Sequence, residues 1–306
     1  MKTLTVFFNS DKVYSGIFER NKKGLTLLDL SSTLDPANLD DIDSDLSKKA
    51  ISQLNRNLGS TDHKIEELNV VLNNESTYWT IVPGSMSDSE SELKEILELE
   101  IKNKSKSFEI SDFSFRIYPY GQKDEFDSEM LFVVLIRKGV IENCKKILEI
   151  TGLEINYITM SQITSQNTVE YNYPDTSHLY DVIINVEDSF CDISLSNNNT
   201  FYYYDLLKND NDGQLVEDIK KEIEKLKEQG LSPGNALVIG TSLTKSFLDK
   251  LTDALNLEVK RLNAFRFVRA NIDERLREYC IRTSHIYAPV VGGALNSFDK
   301  GKVVEY

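Results

Sequence analysis

The chain has 306 residues, 40% of them hydrophobic, which is enough for two domains with real cores. Its 49 acidic and 35 basic residues give a net charge of −14, which argues against a general nucleic-acid binder, because a phosphate backbone is approached with a basic surface. Cys144, Cys191 and Cys280 form no CxxC pattern and fit a reducing compartment, and the apolar runs Leu4–Phe8 and Leu131–Ile136 fall far short of the roughly 20 residues of a membrane helix, so the chain reads as cytoplasmic without direct membrane insertion.

In chain order, Leu4–Phe8 and Val13–Phe18 read as strands around the turn Asn9–Lys12, and Leu25–Leu30 as a third strand. Ser31–Asp45 is polar and acidic, a surface loop. Leu46, Ala50, Ile51, Leu54 and Leu58 then repeat at helical spacing, and Asn69–Leu72 and Tyr78–Val82 read as strands. Ser87 and Glu90 have capping-box spacing before a helix with the stripe Leu93, Ile96, Leu97 and Ile101. Phe113–Tyr118 and Met130–Ile136 are strands. A helix marked by Val140, Cys144, Ile147 and Leu148 ends at Gly152, and Leu153–Ile158 is a further strand. Ser87–Met160 thus reads as an α-β-β-α-β unit with its own face to bury, separate from the strands that follow. Thr164–Ser177 is polar, contains Pro174 and reads as a connection.

Asp181–Leu195, DVIINVEDSFCDISL, reads as a strand, a tight turn at Glu187–Ser189 and a second strand; Thr200–Leu206 is a third. Leu215, Val216, Ile219, Ile223 and Leu226 make a helix stripe that Gly230 stops. Ala236–Ile239 is a buried strand running into Gly240-Thr241-Ser242, followed by a helix with Phe247, Leu248, Leu251 and Leu255 and a strand at Leu257–Lys260. Ile272, Leu276 and Tyr279 suggest another helix, and Ile286–Leu295, with Gly292-Gly293, a short final one. No internal repeat is visible.

Several features could carry chemistry. Glu187 and Asp188 read as a solvated acidic turn, since adjacent acids rarely converge on one ion. Gly240-Thr241-Ser242 reads as a strand-to-helix turn with a Thr or Ser N-cap; the alternative is a backbone nest for a phosphate. His63, His178 and His285 lack ligand spacing, and the cysteines read as buried thiols. Phe201-Tyr202-Tyr203-Tyr204 reads as a strand with alternating faces rather than a stacking platform. Lys220, Lys221, Lys225 and Lys227, interleaved with Glu217, Glu222, Glu224 and Glu228, read as a solvated helix face with i,i+4 pairs. Gly292-Gly293 permits close helix packing.

The segments ELKEILELEIKNKSKSFEISDFSFRIYPYG and EMLFVVLIRKGVIENCKKILEITGLEINYI, with Val134–Gly152 the most telling piece, resemble PilM, the cytoplasmic actin-like family of type IV pilus assembly, with FtsA a more distant relative. The resemblance implies an α/β, actin-like (ribonuclease H-like) two-lobed fold. Residues 1–86 would form the first lobe, with about 265–306 packing back on it, 87–160 an inserted subdomain, and 161–264 a shortened second lobe. In that family both hairpins carry Asp-Ile-Gly; here those positions read Phe7-Phe8-Asn9 and Asn185-Val186-Glu187. Of the family's glycine run only Gly240 remains. Asn9, Ser10, Asn185, Ser189, Gly240 and Thr241 are then what is left of the nucleotide cleft.

The implied function is a non-catalytic bacterial scaffold without a metal or other cofactor, in a pilus or type II-like secretion platform. It would hold the cytoplasmic tail of an inner-membrane protein between residues near 1–85 and 87–160 and would sit at the inner face of the membrane through that partner. The alternative is an active ATPase or phosphotransferase using ATP and magnesium, for which Asp11, Asp188 and Asp192 are the nearby acids. A third reading is a structural protein unrelated to pili that reuses the fold.

Overall fold

A computed structural model describes residues 1–104, 109–174, 180–198, 200–296 and 301–305. Strands β1 (Lys2–Phe8), β2 (Val13–Asn21) and β3 (Gly24–Ser32) form an antiparallel meander. Helix α1 (Asp45–Gly59), capped by Ser44, returns the chain to β4 (Glu67–Leu72), which pairs parallel with β1. Leu4, Val6 and Phe8 face one side of β1 and Phe7 the other, all buried, which is why the strand reads as a continuous apolar run. Leu46, placed on the buried stripe of α1 by its spacing, is exposed instead.

The second half repeats this path. Strands β9 (Tyr180–Val186), β10 (Phe190–Asn197) and β11 (Thr200–Lys208) form a meander, α5 (Asp212–Glu228) returns, and β12 (Pro233–Ile239) pairs parallel with β9. Helix α6 (Lys245–Ala254) leads to β13 (Glu258–Arg261), parallel to β12. The first sheet closes in the same way with β8 (Ile155–Met160) beside β4, and β14 (Arg269–Ala270) adds to β3. The repeat is one of topology, carried by two sheets of unrelated sequence.

Between β4 and β8 lie β5 (Tyr78–Pro83), α2 (Glu90–Lys104), β6 (Phe113–Tyr120), β7 (Met130–Arg137) and α3 (Lys138–Leu148). The α-β-β-α-β order expected for 87–160 is present, but its members divide between two sheets. The last strand, β8, belongs to the first sheet, while β5 pairs with β7. Apolar alternation reports which faces are buried, not which strand lies alongside. Helix α2 covers one face of β5, β6 and β7 through Leu93, Leu97 and Ile101. The other face, with Phe132, Val134 and Ile136, joins the core of the first sheet. The expected separation from the following strands does not hold either. Phe201 of β11 pairs with Tyr120 of β6, and Gly121 N donates to Phe201 O at 2.6 Å, joining these strands into one nine-stranded sheet that also takes β15 (Lys302–Glu305).

The polar stretch read as a connection holds a helix, α4 (Ser161–Asn172), almost wholly buried. Three of its polar residues are bonded across elements, while Ser165 Oγ, Gln166 Nε2 and Asn167 Nδ2 have no hydrogen-bond partner among the described residues. Thr168 Oγ1 donates to Ala288 O at 2.6 Å, Gln162 Nε2 to Ser194 Oγ at 2.7 Å and Asn172 Nδ2 to Ala264 O at 2.9 Å. Helix α7 (Glu274–Thr283) precedes α8 (Ala288–Ala294), which crosses α4 so closely that a Cβ on Gly292 would lie 1.6 Å from Thr164 O. Gly293 meets Thr5 and Val71 of the first sheet, so the glycine pair does permit close packing. Among the described residues no helix is long and apolar enough to cross a membrane.

Candidate functional site

The β1–β2 turn, the β9–β10 turn and the loop after β12 converge where the two halves meet. Asn9 follows β1; its buried Nδ2 donates to Asp11 Oδ1 at 3.0 Å and to Glu187 Oε2 at 3.2 Å. Glu187, at 3% exposure, is the centre of the site. Its carboxylate also accepts from Thr241 N at 3.4 Å and from Thr241 Oγ1. Burial pushes the Glu187 carboxyl up to about 7, against the downward pull of the Thr241 and Asn9 hydrogen bonds. The solvated acidic turn expected from sequence is therefore half right. Asp188 is exposed, whereas Glu187 is folded inward because donors from two other segments meet it there.

A second buried acid lies beside it. Asp192 of β10 is fully buried and accepts from Asn185 Nδ2 at 2.8 Å and from Asn74 Nδ2 at 2.5 Å. Burial, with the charge of Glu187 adding to it, pushes its carboxyl up to about 8. Among the described residues its Oδ1 and the Asn9 Oδ1 have no hydrogen-bond partner. Asn74 sits in a short 3-10 turn after β4, so the Asn74–Asp192 and Asn9–Glu187 bonds both tie the first sheet's turns to the second sheet's hairpin.

The six residues expected to mark the cleft fall unevenly. Asn9, Asn185 and Thr241 bond the two buried acids. Gly240 adopts φ +110, and a Cβ there would lie 2.2 Å from Val186 O, so the loop after β12 packs directly on the hairpin backbone. Ser189 is exposed and donates to Glu75 Oε1 at 2.7 Å, outside the cluster. Ser10 lines a neighbouring cavity with Asn73 and Glu75. The expected N-cap at Thr241 or Ser242 is displaced: Thr244 caps α6, accepting from Phe247 N at 3.1 Å, because Thr241 is turned to Glu187 and Ser242 N donates to Val186 O. From sequence Asp192 enters only as a nearby acid under the ATPase or phosphotransferase alternative, and Asn74 is not selected; an acid inside a period-two apolar strand is the further signal for Asp192.

The cluster does not fit a nucleotide's phosphates. The Thr241 N–H and hydroxyl and the Asn9 amide, the groups best placed to receive an oxyanion, already serve the Glu187 carboxylate, and an added phosphate would meet that carboxylate at close range. Among the described residues no three His, Cys, Asp or Glu side chains gather as a metal site. Burial and Arg261 lower His285 to about 4, His63 stands apart, and His178 lies outside the described residues. The four aromatics of β11 depart from strict alternation. A register shift at Leu195/Ser196 puts Phe201 and Tyr204 on one buried face, and Tyr202 and Tyr203 against the second sheet's core. Glu222 is likewise not solvated. It is buried and bonds Tyr203 OH and Lys225, both at 2.5 Å, the latter an i,i+3 pair.

No protein-family model and no curated protein matches the sequence. Solved structures do. A PilM–PilN type IV pilus biogenesis complex superposes with a TM-score of 0.77 at 14% identity, over 97% of this chain and 98% of that one. A Bacteroides thetaiotaomicron protein with an actin-like ATPase fold gives 0.49 at 10% identity over 84% and 90% of the two chains. The cytoplasmic domain of Vibrio cholerae EpsL, an inner-membrane component of the type II secretion system, gives 0.47 at 10% over 92% and 94%. The PilM superposition spans both sheets, so the strand shared through Phe201 and Tyr120 is no obstacle to the likeness. The chain has a PilM-like, actin-like fold.

Proposed function

We propose that this chain is a non-catalytic actin-like scaffold that holds a partner's tail rather than turning over a nucleotide. The observation that carries this reading is the Glu187 carboxylate, buried among the donors that a phosphate would need. Phe7 and Asn185 stand where the resembling family has acids, and Asp192 is bonded to two asparagines instead of facing a glycine loop. Residues 1–86, 87–160 and 161–264 remain the working division into lobes and insert, with the two exchanged strands β5 and β8 noted above.

The likeness to a PilM–PilN complex supports a protein partner, here the short cytoplasmic tail of an inner-membrane protein in a pilus or type II-like secretion platform. A cavity of about 610 Å³ lies between the loop carrying Asp40 and the segments carrying Glu109, Asp112 and Arg137. Asn143 Nδ2 donates to Leu39 O at 2.8 Å and Arg137 reaches Asp40 at 3.6 Å, fixing the two walls. The lining carries Asp40, Glu109 and Asp112 against Arg137 and Lys138, and the net charge of −14 favours a tail with basic residues, which charge complementarity would steer inward.

Thermal unfolding with and without Mg-ATP tests the first half, since a ligand bound well below millimolar raises stability by mass action. We expect no shift; a clear upward one overturns the non-catalytic reading. For the second half, capture from the native membrane fraction should recover a single-pass protein with a short cytoplasmic N-terminus, and Glu109→Lys with Asp112→Lys should abolish it. Recovery of soluble enzymes alone, or capture unchanged by those substitutions, overturns the scaffold reading.

A further inference from the structure

Six of the chain's ten arginines fall between residues 261 and 282, in a protein whose net charge is −14. Three of them, Arg261, Arg269 and Arg277, line a cavity of about 320 Å³ together with Leu27, Val268 and Ile272, between β14, the loop before it and α7. Among the described residues none of the three has an acidic partner within ion-pair distance. Cationic walls around an apolar interior suit an occupant that presents one bulky apolar group flanked by carboxylates.

The chain carries such a group itself. The β6–β7 loop reads Asp124-Glu125-Phe126-Asp127-Ser128-Glu129, and Phe126 is 80% exposed, the most exposed of the described large hydrophobic side chains. The loop is held in shape. The Asp124 carboxylate accepts from Phe126 N at 2.9 Å and Ser128 N at 2.8 Å, Asp127 takes φ +64, and Lys123 pairs with Asp127 at 2.8 Å. A preorganised loop loses little freedom on docking. Among the described residues nothing buries the ring. Strand β13, which ends in Arg261, lies five strand spacings from β6 in the nine-stranded sheet, about 24 Å at roughly 4.8 Å per spacing.

We propose that the pocket's occupant is a second copy of this chain: the Phe126 loop of one copy enters the arginine-lined pocket of the next. Loop and pocket are different surfaces, so the contact is head-to-tail and repeats from copy to copy. The aromatic ring fills the apolar interior, and Glu125, Asp127 and Glu129 face the arginines.

Sedimentation velocity of the full chain at increasing concentration tests this. The wild type should grow beyond a dimer of its 34.9 kDa chain. Phe126→Ser and the double variant Arg269→Glu with Arg277→Glu should each stay monomeric, with circular dichroism showing both folded. Arg269→Gln with Arg277→Gln replaces the charge reversal should that fail to fold. Mixed together, the loop variant and the pocket variant should form a dimer and nothing larger, because one supplies an intact pocket and the other an intact loop. A wild type monomeric at every concentration overturns the proposal, even if an acidic aromatic peptide from another protein binds the pocket. So does association that survives either variant, or a mixture that stays monomeric.

Discussion

Replacing Glu187 by Gln keeps the side chain's shape and removes its charge. In the folded protein, burial raises the Glu187 carboxyl from 4.5 to about 7, whereas in the unfolded chain it keeps its ordinary value. Between those two values the native state binds the proton more than the unfolded state does. The stability this proton contributes is therefore complete below about pH 4.5 and is lost as pH rises through about 7. A displacement of about 2.5 pH units corresponds to about 3 kcal/mol. Glutamine has no such titration. Asp192 titrates in both proteins, and because the charge of Glu187 helps to raise it, the substitution also weakens its pH dependence, in the same direction. Urea unfolding followed by circular dichroism between about pH 4 and pH 8 measures the difference. The stability of wild type minus variant should fall by about 3 kcal/mol across that range. A difference independent of pH would mean that Glu187 is a solvated, ordinary acid, and the closed cluster would be refuted with it.

The other predictions rest on packing. Gly292→Ala places a Cβ 1.6 Å from Thr164 O, so α8 must move away from α4; a loss of more than about 3 kcal/mol, or no folded protein, should be seen by thermal circular dichroism. Gly240→Ala combines a positive φ with a contact on the Val186 backbone and should cost more than about 2 kcal/mol, read from the denaturant midpoint. Gly59→Ala is the control: a Cβ there meets nothing within 4 Å, so the same assay should show no loss beyond about 0.5 kcal/mol.

The sequence alone determined the elements whose faces are fixed by local pattern. The strands of both meanders, the stripes of α5 and α6 and the stop at Gly152 follow from period and turn chemistry, and the loss of Asp-Ile-Gly from both hairpins was legible by resemblance. Which strands lie side by side was decided by the tertiary structure. Residues 155–160 and 78–83 are apolar strands either way, and only long-range pairing puts β8 with β4 and β5 with β7. The topological repeat of the two sheets leaves no sequence repeat, because many apolar sets satisfy the same buried positions. Helix α4 was hidden for a related reason: its polar side chains look solvated until Ala288, Ser194 and Ala264 are brought close enough to bond them. Glu187 was hidden most completely. An acid in a turn is solvated by default, and nothing nearby in sequence announces that Asn9, from a turn 178 residues away, and Thr241 will meet it. Burial raises the cost of a charge and hydrogen bonds lower it, and both are properties of a place in the fold, not of a residue in a chain.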